Sequence, residues 1–501
     1  MSERLENRIL LRLQAELKER TLWWKGEWWP ANRFLALVEI CETNLRESGF
    51  DEGQRLVLLL PNCPLVLALS MAAWRLKGAV APLNLQSGAA AIAENLGVLD
   101  PWGVVMPSGM ESLDEAIRAA GHSTFVCQLD EPIQKSVGIK GNPDLAETAV
   151  VFSTSGTTGT PKAVIITHSN LLDNTTRVFE FVEELRKDDV FLNVLPNFHT
   201  LGYSVSGILP LTTGLPQAII PGFMPPQNAI EAIREACVTV MVAVPTMVAL
   251  TLATAAKGAD IGKCLRVIIC GGDRLNPNFD KRARETMNLS ILEGYGLTEC
   301  SPVVTVNPCL ARRKLGTVGP FLPGYESRVL DREGNEVETG QDGVLWVKGA
   351  SVTPGYFRSP EKTAERFRDG WFNTGDIVRV DADGYVTILD RDTDILIVGG
   401  FNVYPQEVER VLQEHPAIHM AAVIGIQHPV SGEIPKAFVI LKENETVSQR
   451  ELVQFCKEKL AHYKVPRKIE FVASFPLSPA GKVLRRKLRE MEKQASTVSL
   501  S

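Results

Sequence analysis

A chain of 501 residues exceeds what one hydrophobic core usually supports, so two or more folding units are expected. Its 45% hydrophobic and 22% charged residues exclude a disordered or fibrous chain, and a formal charge of −6 excludes nucleic acid as a default partner. Nine cysteines, at 41, 63, 127, 237, 264, 270, 300, 309 and 456, form no CxxC pair and no zinc spacing, and read as reduced, mostly buried thiols of a cytoplasmic protein.

The opening "MSERLENRILLRLQAELKER" carries charges throughout and reads as an amphipathic helix, not a signal peptide. "RLVLLLP" (55–61) is a strand-sized apolar run followed by the helical pattern "PLVLALSMAAWRLKG" (64–78). Next, "ETAVVF" and "AVIITH" flank "STSGTTGTPK" (153–162), which predicts a hairpin with a tip of hydroxyls and glycines. "DVFLNVLP" (189–196) is another strand. "VTVMVAVPTMVALTLATAA" (238–256) is uncharged over about one bilayer span, but Pro245 divides it into a β-branched strand and a helix, so it predicts buried elements of a core. "CLRVIICGG" (264–272) then precedes the helical "NPNFDKRARETM".

This alternation predicts a layered α/β domain. After about residue 315 the "DREG" and "DADG" turns predict hairpins and a β-rich subdomain. The helix "PQEVERVLQEHP", apolar at Val408, Val411 and Leu412, and then "AAVIGI", "KAFVILK" and "RELVQFCKEKLAHY" predict a small α+β domain over the last 110 or so residues.

The tip of the 153–162 hairpin is not a Walker loop, because Pro161 precedes Lys162 and a strand follows it. It offers the hydroxyls of Thr154, Ser155, Thr157 and Thr158, backbone N–H groups freed by Gly156 and Gly159, and the Lys162 cation, which together suit a polyphosphate. Asp376, in "GWFNTGDIVRV", can accept from two vicinal ribose hydroxyls. In "LEGYGLTEC", Tyr295 between Gly294 and Gly296 suits stacking on a base, with Thr298 and Glu299 facing phosphate and magnesium. Lys482, in "PLSPAGKVLRRKL", follows a glycine in a turn before a helix.

In this order the segments resemble the adenylate-forming superfamily of acyl-CoA synthetases, luciferase-like enzymes and adenylation domains, from about residue 30 to 490. "ILEGYGLTECSPVVTVN", "PNFHTLG" and "DILIVGGFNVYPQEVE" look most like fatty acyl-CoA ligases and the related acyl-carrier-protein synthetases. The resemblance implies a large multi-subdomain N-terminal domain, residues 1–391, binding ATP and the acid, and a small mobile C-terminal domain, 392–501, hinged at "LDRDTDI". It implies that a carboxylate attacks the α-phosphate of ATP with Mg2+ present, and that CoA or a carrier-protein thiol then takes the acyl group.

By the same resemblance, residues 153–162 hold the β and γ phosphates, Tyr295 packs on adenine, Thr298 contacts the α-phosphate and Glu299 ligates magnesium. Asp376 and Arg391 hold the ribose, Lys482 bridges carboxylate and α-phosphate, and His199 lies near the acyl carboxylate, with a core histidine as its alternative. Gly399 and Gly400 belong to the loop lining a thiol tunnel, and Gly272, in "CGGDRL", to the wall of an apolar acyl pocket continuing from the segment after His199. Thr393 stands where relatives carry Lys or Asp, and Ala163 where Gly is common.

A medium- or long-chain fatty acid with CoA is the leading reading, a carrier protein the alternative acceptor, and a nonenzymatic acyl or nucleotide sensor a third. Arg485, Arg486 and Arg489 of "KVLRRKLREMEK" either dock an acidic carrier protein or form a solvated helix face. Peripheral membrane contact is left open. The sequence ends on "STVSLS", which is no peroxisomal signal.

Overall fold

In a computed structural model of the chain, the described residues are 3–134, 147–154, 161–258, 261, 263–398, 401–428, 432–477 and 483–498. The apolar runs read above become two sheets. One has six strands in the spatial order Thr124–Cys127, Gly103–Pro107, Arg55–Leu58, Ala79–Pro82, Thr148–Thr154, Lys162–Thr167. All its pairings are parallel except the last, where the hairpin turns back. The second has eight strands in the order Val303–Val306, Ser290–Gly296, Val267–Cys270, Val240–Ala243, Phe191–Asn193, Gln217–Ile219, Leu22–Trp24, Glu27–Trp29.

The central strands are buried along their whole length, as parallel strands covered on both faces must be. The helix Pro64–Arg75 between two of them is buried nearly all round, which explains its lack of a polar stripe. Pro245 sits at the first turn of the helix Pro245–Ala256, where its missing N–H leaves no bond unmade. The uncharged 238–256 stretch is thus a buried strand followed by a helix, and among the described residues no helix is long and apolar enough to cross a membrane. The opening helix, Leu5–Ala15, buries Leu5, Ile9 and Leu13 at helical spacing.

The chain divides into two compact units. The first comprises residues 1–327, 347–372 and 384–386, the second 328–346, 373–383 and 387–501. Beyond residue 315 the turn-rich stretch forms the strands Glu326–Leu330, Asp342–Lys348, Trp371–Val380 and Val386–Arg391. The second unit ends in a sheet whose long hairpin, Ile418–His428 with Gly432–Leu441, is backed by the helix Pro405–Gln413. Val408, Val411 and Leu412 are its buried stripe.

All nine cysteines are free, and seven are buried. Burial pushes the thiols of Cys41, Cys63 and Cys127 up to about 12, so they stay protonated packing groups.

Candidate functional site

The two strands of the predicted hairpin pair as their sequence requires. Thr154 lies opposite Lys162 where the strands Thr148–Thr154 and Lys162–Thr167 meet the tip, and the Thr154 hydroxyl donates to the Lys162 carbonyl at 3.4 Å. Ser155, Gly156, Thr157 and Thr158 fall outside the described residues, as do Gly399, Gly400 and Lys482. Ala163 is buried in the strand, and its carbonyl accepts from Phe357 N at 2.7 Å, an extended setting in which alanine costs nothing relative to glycine.

The Lys162 ammonium stands 5.2 Å from the centroid of the Tyr356 ring. Its proton affinity is lowered, first by desolvation and then by the nearby Arg366 cation, while Glu299 opposes the shift. An ammonium that has shed part of its water is prepared to bind phosphate oxygens.

The strand Ser290–Gly296 is built to pass close to its neighbour. A Cβ on Gly296 would come 2.1 Å from the Pro302 carbonyl oxygen, so only glycine fits there, and one on Gly294 would press to 3.1 Å from that of Thr305. Tyr295 is held half-buried between them. The chain then enters the short turn Thr298–Cys300, and the Glu299 carbonyl accepts from Thr353 N at 2.8 Å.

Here the structure joins two separate motifs. The Thr200 hydroxyl, in "PNFHTLG", donates to the Thr298 hydroxyl at 3.1 Å. His199 is exposed, so it is not a core histidine, and its Nδ1 accepts from Leu201 N at 3.3 Å. Leu201 opens a π-helix to Ile208, an uncommon element that often marks functional segments. Gly272 has φ +82, and a Cβ there would lie 3.3 Å from Val244 Cγ1 and 3.9 Å from Leu201 Cδ2. Leu201, Val244 and Gly272 therefore meet beside His199, an apolar surface that a side chain at 272 would narrow.

Tyr356, in "TPGYFRSP", was not legible as a site residue. Gly355 O accepts from Ile165 N at 3.1 Å and Phe357 N reaches Ala163, so Tyr356 is registered against the strand that carries Lys162. Its hydroxyl donates to Glu299 Oε1 at 2.8 Å, and the residue is 4% exposed. Burial, reinforced by the Glu299 charge, raises the phenol well above its usual range, so it remains a donor. Locally "GYF" is indistinguishable from a packing aromatic, because both its partners come from distant segments.

Glu293, beside Gly294, is a second residue the motifs did not single out. Burial pushes its carboxyl up to about 7, against the pull of Arg274. A folded value above the unfolded one favours folding while the group is protonated. That contribution is complete below about pH 4.5 and is lost as pH rises through 7. Glu293→Gln is therefore expected to gain about 3 kcal/mol over the parent at pH 8 and little at pH 4.5. Urea unfolding across this range measures it, and a pH-independent difference would contradict the buried carboxyl.

In the second unit, Asp376 and Arg391 come together as read. Asp376 is 3% exposed, its Oδ1 lies 2.6 Å from Arg391 Nε, and its N donates to Thr374 Oγ1 at 3.1 Å. Residues 389–391 are anchored within this unit: the buried Asp390 carboxylate accepts from Arg391 N at 2.8 Å and Gln406 N at 2.9 Å. Thr393 lies in the turn Asp392–Asp394, where Asp394 binds Arg489 at 2.6 Å.

The basic helix, Arg485–Val498, corrects the reading at Arg485. Arg485 is neither solvated nor available for docking, because it grips both oxygens of Glu409, at 2.7 and 3.0 Å. With Arg489 on Asp394, Arg486 is left at the surface beside Glu490 at 3.5 Å.

Comparison with known proteins extends this site to a family. Residues 16–357 match the model of the AMP-binding enzyme family, and residues 407–482 that of the AMP-binding enzyme C-terminal domain. The long-chain-fatty-acid–CoA ligase of Yersinia pestis is 35% identical over 71% of this chain, and the match spans 64% of that protein's length. The 2-succinylbenzoate–CoA ligase of Geobacillus kaustophilus is 34% identical over 89% of this chain and 90% of that one. Among solved structures, ATP-bound MatB from Rhodopseudomonas palustris superposes with a TM-score of 0.89 at 30% identity, covering 98% of this chain and 99% of that one. The α/β architecture with its smaller C-terminal domain is that of these structures, and the chain belongs to the AMP-binding enzyme family of the adenylate-forming superfamily.

Proposed function

We propose that the protein is an AMP-forming acid–thiol ligase that activates a medium- or long-chain fatty acid as its acyl-adenylate and transfers the acyl group to CoA. The observation that carries this reading is the junction in the first unit, where Thr200 meets Thr298 and Tyr356 connects Glu299 to Lys162. An anionic acid must approach an anionic phosphate, so hydroxyl donors and a cation around the α-phosphate lower the barrier by stabilising developing charge.

In this reading the 153–162 tip, with Thr154, Ser155, Gly156, Thr157, Thr158 and Lys162, holds the β and γ phosphates. Tyr295 between Gly294 and Gly296 takes the adenine, and Thr298 orients the α-phosphate. His199 faces the acyl carboxylate, and Leu201, Val244 and Gly272 wall the chain. Glu299 fits magnesium, since one carboxylate beside phosphate oxygens is how this hard cation is usually held, and Tyr356 fixes one of its oxygens. The bound ion would neutralise charge on the phosphates. Residues 392–501 act as a mobile lid that presents Lys482 for the first step and Gly399 and Gly400 for the second. The acid class rests on the apolar wall and the fatty-acid ligase relative. Relatives that act on other acids make an aryl acid the alternative outcome.

The test is pyrophosphate release with MgATP across free acids from acetate through long-chain and aryl acids, with and without CoA or a holo-carrier protein. Release that requires a long alkyl chain and CoA supports the proposal. Release with aryl acids alone would move the substrate class, and ATP binding without release would favour a sensor.

Asp376 and Arg391 are proposed to hold the ribose. Asp376→Ala is expected to weaken ATP binding about 10- to 100-fold, the loss of one or two charged hydrogen bonds. Calorimetric titration measures this, and unchanged affinity would remove Asp376 from the nucleotide site.

A further inference from the structure

Cys237 is exposed and Cys264 half-buried, whereas the other seven cysteines are core residues. The parallel strands Val240–Ala243 and Val267–Cys270 pair Val240 with Val267. One position earlier Arg266 N donates to Thr239 O at 2.9 Å, so the pairing continues back past the first residues of the two strands. Counting back three residues from Val240 and from Val267 reaches Cys237 and Cys264. Adjacent strands run about 4.7–4.9 Å apart, inside the window of about 4.4–6.8 Å between Cα atoms that a disulfide needs.

The segments leading into these two strands are pinned to one buried carboxylate. Asp189 is 1% exposed, and its Oδ1 accepts from Thr239 Oγ1 at 2.6 Å and from Arg266 at 2.5 Å. Cys237 follows the helix Pro226–Glu235 with a left-handed φ of 51, and in this conformation it receives the Cys264 thiol, whose Sγ donates to Cys237 Sγ at 2.7 Å. The two sulfurs are thus held together by their register and by Asp189, at the ends of the strands opposite Val244 and Gly271.

We propose that Cys237 and Cys264 form a peroxide-sensitive dithiol, a modification site apart from the nucleotide and acyl residues, that closes to a disulfide between the N-terminal ends of the two strands. Cys237, the more exposed sulfur, attacks hydrogen peroxide as the thiolate. Its sulfur gains a hydroxyl group, the O–O bond breaks, and the hydroxide released leaves as water by taking up the proton the Cys237 thiol gave up. The Cys264 sulfur then attacks the Cys237 sulfenic acid, the S–S bond forms, the S–O bond breaks and a second water leaves with the Cys264 proton. Peroxide is the oxidant and both thiols are oxidised. The product encloses the helix Pro245–Ala256 in a covalent loop, which restricts the unfolded chain and raises the melting temperature.

The experiment is peroxide titration of the full-length protein, followed by intact mass, non-reducing peptide mapping and thermal unfolding. The expected result is loss of both thiol hydrogens, one cross-linked peptide pair joining 237 to 264, and a higher melting temperature that dithiothreitol reverses. Cys264→Ser is expected to stop at a Cys237 sulfenic acid trapped by dimedone, and Cys237→Ser to abolish the cross-link while leaving pyrophosphate release unchanged. An unchanged mass, over-oxidation of Cys237 without a link, or a disulfide to another cysteine or another chain would overturn the proposal. Apart from pyrophosphate release, none of these readouts depends on the ligase reading.

Discussion

Lys482→Ala is expected to lower acyl-adenylate formation about 10²–10³-fold, the loss typical when one group aimed at transition-state charge is removed. Thioester formation from supplied acyl-adenylate should change by less than about threefold, because in the second half-reaction the α-phosphate already carries its acyl group and no bridging cation is required. The physical reason is geometric as well as electrostatic. A lysine carries a compact point charge on a flexible stem, which the proposed lid would place between two anions and then withdraw. Single-turnover measurement of each half-reaction separates the alternatives. Equal loss in both steps would make Lys482 a structural residue.

Glu299→Gln is expected to reduce pyrophosphate release by about 10²–10³-fold and to raise the magnesium concentration for half-maximal rate, since an amide cannot replace an anionic metal ligand. Tyr356→Phe distinguishes ligation from orientation. It keeps the ring beneath Lys162 but removes the hydroxyl bond to Glu299, so the expected loss is about 3- to 10-fold, one neutral-to-charged hydrogen bond. The Tyr356→Phe loss should appear chiefly in the magnesium dependence, with ATP affinity measured without magnesium unchanged. A Glu299→Gln enzyme with normal magnesium dependence would remove Glu299 from the metal, and a Tyr356→Phe enzyme identical to the parent would make that contact packing alone.

Much of the candidate site was legible because its parts are local. The hydroxyl-rich hairpin, the glycine-flanked Tyr295 and the Thr298–Glu299 pair each lie within a few residues, and their backbone demands write themselves into the sequence. Gly296 has to be glycine because Pro302 O occupies the space of its Cβ. Tyr356 and Thr200 were missed as site residues because neither has a local signature. Their contacts arise only when segments more than fifty residues apart are brought together. The reading of Arg485 failed for the same reason: a charge run on a helix looks solvated until the Glu409 carboxylate from another helix is placed beneath it.

By itself, the sequence determined the α/β class, the strand-and-helix reading of residues 238–256 and the two strands flanking residues 155–161, since periodicity, proline placement and turn chemistry act over a few residues. Only the tertiary structure decided which of the charged and polar groups face one another. It turned Arg485 inward, exposed His199, set Tyr356 between Lys162 and Glu299, and brought Cys237 against Cys264. Electrostatic and hydrogen-bond energies fall off steeply with distance and depend on burial, and both are fixed only when the sheets close around their cores.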